Sequence, residues 1–600
     1  MRSMKLSDYV MQFVAEQGVS HVFMLPGGGA MHLNESLGRR TDIEFVCNLH
    51  EQAAAIAAEA YAKITNRLGV AMVTTGPGGT NAVTGVASAW LDSMPCLVIS
   101  GQVKRADLKR DSGVRILGVQ EIDIVSIVAS ITKYAVTIED PSSIRYHLEK
   151  AVHLAYASRR GPVWIDIPLD VQAAQIDPDR LPGYTPPIVQ VDSNLQDQVG
   201  DLVGILRAAE RPVIVAGNGI RAAGAVNEFR QALEALQVPV LTTWLGMDLL
   251  PDGDPLFAGR PGSIAPRGAN FALQNSDLMV VIGARLDMAL TGYAHDNLAR
   301  QAVKAMVDVD EAEIRKMKTT IHLPVVADAG AFLRELNRQL GESTLPGYGD
   351  WVQRCQDWKR RYPVVQPEYR ELPEGVSTYC LSEALSAELE SGDIVASGSS
   401  GAGIELFLLA FQVKENQRVL HSRGLGAMGF GLPASIGACL GAGRRRTICV
   451  EGDGSFHMNA QELETIRRLQ LPIKVFVINN GGYASIRASQ QNYFQHLVAA
   501  DSTSGLSLPD VMKVAEAYGV PSLSITNQRD LRAQVREVLE TPGPVVCEVL
   551  APAEEQRAPR LSSMQRPDGS MVSKPLEDLW PFLDREEFRA NMIIPPLDDR

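Results

Sequence analysis

The sequence lacks several features that would place it at once in a large class of proteins. No apolar run is long enough to span a bilayer, and the N-terminus lacks the apolar core of a signal peptide. The seven cysteines are scattered without CxxC spacing, which argues against a disulfide framework or a cysteine-bound zinc ion. We therefore expect a cytoplasmic protein that does not associate with membranes.

Positive charge is also in short supply. The chain has 57 lysines and arginines against 70 acidic residues, a formal net charge of −13. This balance argues against nucleic acid or an anionic membrane as the main partner. With 45% hydrophobic and 21% charged residues, the composition is that of an ordinary globular protein. A length of 600 residues exceeds what one hydrophobic core can serve, so we expect several domains.

Short apolar runs alternate with helical patterns in three successive parts of the chain. The alternation predicts an α/β fold of three doubly wound parallel-sheet domains. The predicted units are an N-terminal domain (1–185), a central domain (195–345), a third domain (365–552) and a C-terminal arm (553–600). The runs that predict strands are HVFML, GVAMVTT, PCLVIS and PVWIDI, then PVIVAG, PVLTT, LMVVIGA and AMVDVD, then DIVASG, TICVEGDG, IKVFVINN and GPVVCEVL.

Two polar, glycine-rich turns follow apolar runs in the third unit. The run TICV ends in EGDG, which contains Asp453, and the run KVFVI ends in NNGG, which contains Asn480. Because the carboxyl ends of strands in an open α/β sheet border a crevice, we expect these two side chains to lie side by side. Such oxygen ligands suit Mg2+, and the glycines allow close approach of a phosphate. Either motif alone would most often be a simple turn, but the pair predicts a metal-diphosphate site.

The two turns, with 24 residues between GDG and NN, resemble the thiamin-diphosphate signature of the pyruvate-decarboxylase and acetolactate-synthase superfamily. The resemblance implies thiamin diphosphate and Mg2+ as cofactors. It implies that Mg2+ is bound by the side chains of Asp453 and Asn480 and by the backbone carbonyl of Gly482. The cofactor-binding residues that it implies in this unit are Gly452, Asp453, Gly454, Ser455, Asn480, Gly482 and Tyr483.

A candidate for the catalytic glutamate of that superfamily lies in the first unit. Glu51 follows the apolar run FVCNL and opens the alanine-rich segment EQAAAIAAEAYAK. Taken alone, a glutamate at a helix N-terminus is explained by the helix dipole. The resemblance implies instead that Glu51 is catalytic and protonates the aminopyrimidine ring of the cofactor, whose imino form then removes the thiazolium proton.

Further segments resemble the acetolactate-synthase branch over nearly the whole chain: PGGGAMH, TTGPGGTNAVTG, VQE and GLGAMGFGLPASIG. His32 and Gln120 become candidate catalytic groups and His421 a further pocket candidate, although a lone histidine is more often structural. Met428 would support the bent conformation of the cofactor, although core packing would also explain a methionine there. The cofactor contacts that these segments imply are Gly28, Gly76, Asn81, Gly426 and Met428.

The central unit resembles the flavin-binding domain of acetolactate synthases. GARLDMALTG, which carries Arg285, resembles GARFDDRVTG, and GRPGSIAPRGANFA occupies the place of the flavin-facing glycine loop. Arg285 could pair with the flavin diphosphate, and Asp308 closes a strand where an acidic group often meets a ribose. The resemblance implies FAD without a redox role, because carboligation is redox-neutral. The alternative is a central domain that keeps the fold without the flavin.

Three positions depart from the acetolactate-synthase pattern. Ser489 stands where a tryptophan is usual, Val119 where a phenylalanine is usual, and Leu169 where a lysine is usual. Replacing two aromatic residues by smaller ones should enlarge the acceptor end of the pocket. The arm, in which Trp580 and Phe582 could cap a site, resembles relatives that transfer a pyruvate-derived acetyl unit to a keto-deoxy nucleotide sugar.

The first interpretation is a carboligase that decarboxylates pyruvate and transfers the two-carbon unit to a ketone or 2-oxo acid. The alternatives are acetyl transfer to a keto-deoxy nucleotide sugar, a simple 2-oxo acid decarboxylase or oxidase, and a catalytically silent cofactor-binding scaffold. Glu51 lies in the first unit and the metal-binding turns lie in the third. The resemblance therefore implies a homodimer or homotetramer with active sites at the subunit interface.

Overall fold

The structure is a computed structural model, and it describes residues 3–187, 194–398, 401–565 and 571–597. Three six-stranded parallel sheets with helices between their strands form its framework, which confirms the predicted α/β class. The exact bounds predicted for the units stay predictions. No helix in the described ranges is both long enough and apolar enough to cross a membrane.

The first unit contains eight strands and seven helices. The strands are β1 (Met4–Lys5), β2 (His21–Met24), β3 (Glu44–Cys47), β4 (Gly69–Val73), β5 (Cys96–Gln102), β6 (Tyr134–Thr137), β7 (Val163–Pro168) and β8 (Gln175–Ile176). The helices are α1 (Leu6–Glu16), α2 (Met31–Gly38), α3 (Glu51–Thr65), α4 (Pro77–Leu91), α5 (Ile124–Val128), α6 (Ile144–Tyr156) and α7 (Leu169–Gln172). The sheet order is β3-β2-β4-β5-β7-β6, and β1 pairs with β8 separately.

The central unit contains six strands and seven helices. The strands are β9 (Pro212–Ala216), β10 (Val240–Thr242), β11 (Phe257–Gly259), β12 (Leu278–Ile282), β13 (Val303–Asp308) and β14 (Leu323–Val326). The helices are α8 (Leu195–Ala208), α9 (Gly219–Ala222), α10 (Val226–Leu236), α11 (Arg267–Gln274), α12 (Glu311–Arg315), α13 (Ala329–Leu340) and α14 (Gly349–Arg361). The sheet order is β11-β10-β9-β12-β13-β14.

The third unit and the arm contain the remaining elements. The strands are β15 (Ile394–Ser397), β16 (Arg418–Leu420), β17 (Thr447–Gly452), β18 (Ile473–Asn479), β19 (Ser522–Ile525), β20 (Val545–Leu550), β21 (Ser563–Gln565) and β22 (Met571–Ser573). The helices are α15 (Thr378–Glu388), α16 (Ala402–Ala410), α17 (Gly431–Gly441), α18 (Asp453–Phe456), α19 (Glu462–Arg468), α20 (Ala484–Phe494), α21 (Val511–Ala517), α22 (Leu531–Glu540) and α23 (Arg585–Asn591). The sheet order is β16-β15-β17-β18-β20-β19.

Each sheet is buried on both faces, which explains the continuous apolar runs of its strands. In β9, Val213 and Val215 pack into one hydrophobic cluster, whereas Ile214 and Ala216 pack into another on the opposite face. Alternating side chains of one strand thus serve two cores, and helices cover both.

The first and third units pack together through α3 and α17. Every residue of α3 from 53 to 63 is buried, and most of them are alanines. A Cβ atom added to Gly437 on α17 would lie 1.9 Å from the carbonyl oxygen of Ala57. On the other side of α3, a Cβ added to Gly85 would lie 2.5 Å from the Cβ of Ala55. Small residues therefore allow α3 to pack between α4 and α17 at backbone contact distance.

The C-terminal arm packs on the central unit. Asn270 donates to the carbonyl of Leu576 at 2.7 Å, and Arg300 pairs with Glu577 at 2.7 Å. The guanidinium of Arg560 lies 5.2 Å from the ring centroid of Trp580, while Phe582 remains partly exposed. These residues of the arm thus contact the central unit, and that Trp580 and Phe582 cap a site stays a prediction.

A test of the helix contact is Gly437→Ala. The added methyl group has no room against the Ala57 carbonyl, so we expect a free energy of unfolding lower by about 1–3 kcal/mol. Thermal unfolding followed by circular dichroism measures the loss. The matched control is Gly204→Ala on α8, where a Cβ would meet nothing within 4 Å and the change should stabilise slightly. Equal melting of Gly437→Ala and the wild type would contradict the proposed contact.

Candidate active site

The loops that follow β2 and β4 meet at the carboxyl edge of the first sheet. A Cβ added to Gly27 would lie 2.4 Å from the Thr74 side chain, and one added to Gly29 would lie 1.9 Å from Thr75 Oγ1. Gly28 between them has nothing within 4 Å of its Cβ position. The predicted cofactor-binding residue Gly28 therefore presents bare backbone to open space at the point where the strand order reverses.

Glu51 is the first residue of α3 and is only 5% exposed. Asn81 on α4 donates a hydrogen bond from Nδ2 to Glu51 Oε2 at 3.0 Å. Within the described part of the chain, no lysine or arginine pairs with Glu51, and Oε1 accepts no hydrogen bond. The carboxyl group is therefore held by a neutral amide on one oxygen and is available to a ligand on the other.

The loop that carries Gln120 packs against Gly76. Gly76 has φ +64°, and a Cβ there would lie 2.3 Å from the carbonyl oxygen of Gln120, so only glycine fits. The next residue, Glu121, is nearly buried and accepts hydrogen bonds from the backbone amides of Lys109 and Leu117. These two hydrogen bonds to Glu121 hold together the loop from Lys109 to Glu121, which contains Gln120.

Asp453 directly follows β17. The last residue of β17, Gly452, is paired with Ile478 of the neighbouring strand β18. The carboxylate is 4% exposed. Its Oδ1 accepts from the Gly454 amide and its Oδ2 from the Gly482 amide, both at 2.8 Å. Burial raises the pKa of Asp453 above its ordinary value, an effect that these amides oppose. Each oxygen keeps a lone pair, so the group can still bind a cation.

The two asparagines that follow β18 have different environments. Asn479 donates to Glu548 Oε1 at 2.7 Å and accepts from the Gly481 amide at 3.1 Å. Asn480 Oδ1 is buried and has no hydrogen-bond partner among the described residues. A buried, unpaired amide oxygen is costly unless a ligand satisfies it. The structure therefore separates a structural asparagine from one whose oxygen is free to bind a metal.

Gly482 and Tyr483 complete the turn. Gly482 has φ +129°, and a Cβ there would lie 2.5 Å from the carbonyl oxygen of Ala500. The ring of Tyr483 lies where a side chain on Gly454 would otherwise be, since a Cβ there would be 2.2 Å from the ring. The two glycine-rich turns are thus in direct contact, as the sequence predicts.

The loop that carries Gly426 and Met428 is held from below. Ser455 Oγ accepts from the Gly429 amide at 2.7 Å, and Asn459 Nδ2 donates to the Gly429 carbonyl at 2.7 Å. Gly426 has φ +67°, and the side chain of Met428 is half-buried. Ser455, predicted to contact the cofactor, therefore supports the neighbouring loop in the structure.

A cavity of about 270 Å³ opens at the carboxyl ends of the central strands, at the point where β9 and β12 lie side by side. Arg285 and Asp308 line it, as do Asp92 and Arg159 from the first unit and Arg423 from the third. Burial raises the pKa of Asp308, although Oδ1 accepts a backbone amide at 2.9 Å. The cavity is therefore shared by all three units and lined by charges of both signs.

The candidate site consists of two half-sites: Glu51 with Asn81 on the first unit, and the turns with Asp453 and Asn480 on the third. In the described ranges, no hydrogen bond or ion pair joins Glu51 to Asp453 or Asn480. The first and third units are linked nearby through Asn48, which donates to Glu462 Oε2 at 2.9 Å. Glu51 and the two turns are therefore not joined by a direct polar contact among the described residues.

Comparison with known families assigns these half-sites. The N-terminal TPP binding domain of thiamine pyrophosphate enzymes matches residues 4–127, the central domain matches 199–336, and the C-terminal TPP binding domain matches 401–549. The chain belongs to the thiamine pyrophosphate enzymes. Thiamine pyrophosphate is another name for thiamin diphosphate, so the cofactor predicted from the two turns is confirmed.

The enzyme falls in the acetolactate synthase-like branch. It is 33% identical over 573 residues to acetolactate synthase 2, chloroplastic, of Nicotiana tabacum, covering 93% of this chain and 84% of that protein. It is 31% identical over 575 residues to the acetolactate synthase large subunit of Cyanidium caldarium, covering 92% of this chain and 94% of that protein. The predicted thiamin-diphosphate-dependent, acetolactate synthase-like carboligase is thus confirmed as a class.

The histidines that the sequence singled out differ in environment in this enzyme. His32 lies half-buried on α2. His421 is buried, its Nε2 lies 3.2 Å from the Trp244 carbonyl, and burial lowers its pKa to about 4. His421 therefore stays neutral and contacts the central unit. The catalytic roles predicted for His32 and Gln120 stay predictions.

Sequence reasoning missed Glu451, which lies beneath the metal turns. Its side chain is fully buried, Oε1 accepts from the Gly431 amide, and Oε2 has no partner among the described residues. A Cβ on Gly398 would lie 2.4 Å from Oε2. Burial raises the pKa of Glu451 to about 7. Its apolar neighbours in the run TICV were a signal that the carboxyl group is desolvated.

This pKa predicts a pH-dependent stability of the cofactor-free enzyme. Because the folded-state pKa lies above the ordinary value of 4.5, the Glu451 contribution is present below pH 4.5 and is lost as pH rises through 7. The shift corresponds to about 3 kcal/mol. The free energy of unfolding should therefore fall less between pH 5 and pH 8 in Glu451→Gln than in the wild type. Denaturant unfolding measures it. Glu540→Gln, at an exposed position, is the control. Parallel pH profiles for wild type and Glu451→Gln would refute the assignment.

Proposed function

We propose that this enzyme decarboxylates pyruvate and joins the two-carbon unit to a carbonyl acceptor. The observation that carries the proposal is the environment of Glu51, a buried carboxyl group held by the neutral amide of Asn81 with no cation beside it in the described ranges. A carboxyl group with one oxygen free of hydrogen bonds can interact with a nitrogen base of a ligand and act in acid-base catalysis. The relatives, named acetolactate synthases, retain similarity over nearly the whole chain.

The metal turns support Mg2+ as the partner of the cofactor diphosphate. The free Oδ1 of Asn480 and the remaining lone pairs of Asp453 form the hard oxygen set that Mg2+ prefers. Mg2+ would be held by these two side chains and by the Gly482 carbonyl. The positive charge would also offset the burial that raises the pKa of Asp453.

Bound thiamin diphosphate supplies the carbon nucleophile and the electron sink that a decarboxylation of a 2-oxo acid requires. Glu51 would meet the cofactor through Oε1, since Oε2 accepts the hydrogen bond from Asn81. Met428 and Tyr483 would orient the cofactor from the third unit, and backbone at Gly28 and Gly76 would receive it on the first. Gln120 would lie at the substrate side of this surface.

The separation of the half-sites supports a homodimer or homotetramer in which one subunit supplies Glu51 and another supplies Asp453. Apolar side chains that are exposed in one chain surround both half-sites, as expected where a second copy packs. These side chains are Met31, Leu49, Val119, Leu425, Met458 and Ile486.

The cavity of the central unit supports FAD as a further, non-redox cofactor. The central strand order, 3-2-1-4-5-6 in chain order, is that of dinucleotide-binding sheets, and the cavity lies at the reversal point of that order. Arg285 would pair with the diphosphate and Asp308 with a ribose hydroxyl. All seven cysteines are free, which supports the proposed cytoplasmic location.

The acceptor is proposed to be a ketone or a 2-oxo acid. Val119 is 87% exposed and Ser489 is exposed on α20. Neither would narrow the proposed acceptor end of the pocket in the way that an aromatic residue would. This openness favours a keto-deoxy nucleotide sugar as the second candidate acceptor.

The deciding assay supplies the purified enzyme with thiamin diphosphate, Mg2+, FAD and pyruvate and follows pyruvate loss and acetolactate by mass spectrometry. Rapid acetolactate formation supports pyruvate as the acceptor. Slow loss that a keto-deoxy nucleotide sugar accelerates supports the larger acceptor. No pyruvate loss in either assay refutes the proposed function. Flavin released on unfolding the same sample is measured by its absorbance.

Glu51→Gln tests the catalytic role. The amide keeps the shape and the Asn81 contact but cannot exchange a carboxyl proton, so we expect carboligation to fall by at least about a hundredfold. Binding of thiamin diphosphate, measured by calorimetry, should be largely kept. Glu44→Gln at the exposed start of β3 is the control. Near-normal turnover of Glu51→Gln would remove Glu51 from the mechanism.

Asn480→Ala and Asn479→Ala test the metal assignment as a pair. Asn480→Ala should weaken Mg2+ binding at least about tenfold without loss of thermal stability in the cofactor-free enzyme, because Oδ1 has no partner to lose. Asn479→Ala should lower that stability by about 1–3 kcal/mol, because it leaves Glu548 and the Gly481 amide unpaired. Tight Mg2+ binding by Asn480→Ala would rule the ligand out.

A further inference from the structure

Arg487 on α20 contacts the backbone of the NNGG turn. Its side chain is 9% exposed. Nη2 donates to the carbonyl of Asn480 at 2.9 Å and to the carbonyl of Ala553 at 2.6 Å, and Nη1 lies 3.4 Å from the Gly481 carbonyl. Asp501 lies 3.7 Å from Nη1 and supplies a counter-charge. One nearly buried guanidinium therefore binds three backbone carbonyls.

The opposite edge of the turn is fixed by other contacts. Gly482 forms an antiparallel bridge with Asp501, and the Tyr483 amide donates to the Ala500 carbonyl at 2.8 Å. The Gly482 amide is held by Asp453. Contacts therefore hold the turn at both ends, and Arg487 provides the contact at the Asn480 end.

The contacts of Arg487 determine which oxygens of the turn remain available. The guanidinium binds the carbonyls of Asn480 and Gly481 and so takes one lone pair of each oxygen, which makes both poorer candidates for a metal than an oxygen without a hydrogen bond. The side-chain Oδ1 of Asn480 is left without a partner. Charge-assisted hydrogen bonds of this kind are among the stronger ones in proteins and fix the orientation of a peptide plane. A rotation of the Asn480 peptide would also move its side chain.

We infer that Arg487 is a positioning residue that holds the NNGG turn so that Asn480 Oδ1 and the Gly482 carbonyl face the cofactor metal. The inference rests on the proposed Mg2+ site. Arg487 contacts neither substrate nor metal in this role. It also fixes Ala553, the first residue of the predicted arm, against the same turn.

The test compares Arg487→Met and Arg487→Lys with the wild type. Mg2+ is titrated at a fixed concentration of thiamin diphosphate, and binding is followed by tryptophan fluorescence. Residues that orient metal ligands typically contribute ten- to a hundredfold in metal affinity, so we expect a Kd for Mg2+ higher by about that factor in Arg487→Met. Arg487→Lys keeps the charge and part of the donor set and should fall between the two.

A second readout needs no cofactor. Amide hydrogen exchange at residues 480–483 and 553–556 should become faster in Arg487→Met, because the carbonyls on both segments lose their common donor. The matched control is Arg354→Met, which removes an arginine bond to the Ala590 carbonyl of the arm, far along the chain from the turn. It should leave Mg2+ affinity and exchange at 480–483 unchanged.

The outcomes separate this inference from the proposed function. Wild-type Mg2+ affinity and unchanged exchange in Arg487→Met would overturn the positioning role while leaving the metal site intact. An equal loss in Arg354→Met would also overturn it, since the effect would then be general. Failure of the wild type itself to bind Mg2+ with thiamin diphosphate would refute the proposed metal site instead.

Discussion

The backbone contact between α3 and α17 is the constraint on which the rest of the structure depends. It exists because small residues face each other, with Gly437 against the carbonyl of Ala57. Helix α3 starts at Glu51. Near its C-terminal end the buried Lys63 Nζ lies 2.7 Å from Glu59 Oε1 and 2.8 Å from Asp92 Oδ2. The same packing therefore fixes the carboxyl group of Glu51 and a buried ion cluster, and a buried cation with two partners tolerates little displacement.

The two glycine-rich turns that follow β17 and β18 contain buried polar atoms without hydrogen-bond partners among the described residues. Asn480 Oδ1 and Glu451 Oε2 are buried without partners in the described part of the chain, and Asp453 is desolvated. Each feature destabilises the empty fold, so the close packing elsewhere must offset it. Sites that bind a cation commonly have this character, because the ligand restores what burial removed.

Most of the framework could be predicted from the sequence because central parallel strands are apolar on both faces. All twelve strands predicted from the apolar runs of the three units are present in the three sheets, and the run FVCNL before Glu51 forms a thirteenth, β3. The strands β6, β11, β14, β16 and β19 were not predicted, and all five lie at sheet edges, where less apolar surface is needed. The turns at the strand ends could be predicted because glycines and polar residues follow the apolar runs there. The partners of Glu121, Glu451 and Arg487 could not, since they depend on contacts between segments far apart in sequence.

The strand orders explain why one chain has three crevices, one at the carboxyl edge of each large sheet. The first and third sheets share the order 2-1-3-4-6-5 in their own strand numbering, and the central sheet has 3-2-1-4-5-6. Each order changes direction at its first strand, and loops at such a reversal diverge to leave a crevice at the carboxyl edge. Gly28, Asp453 and Arg285 lie at these three edges. Helices α3 and α17 join the two outer units by their helical faces, in one hydrophobic cluster that contains Ala57 and Ile436. In the proposed homo-oligomer, each chain would keep this contact between its own first and third units.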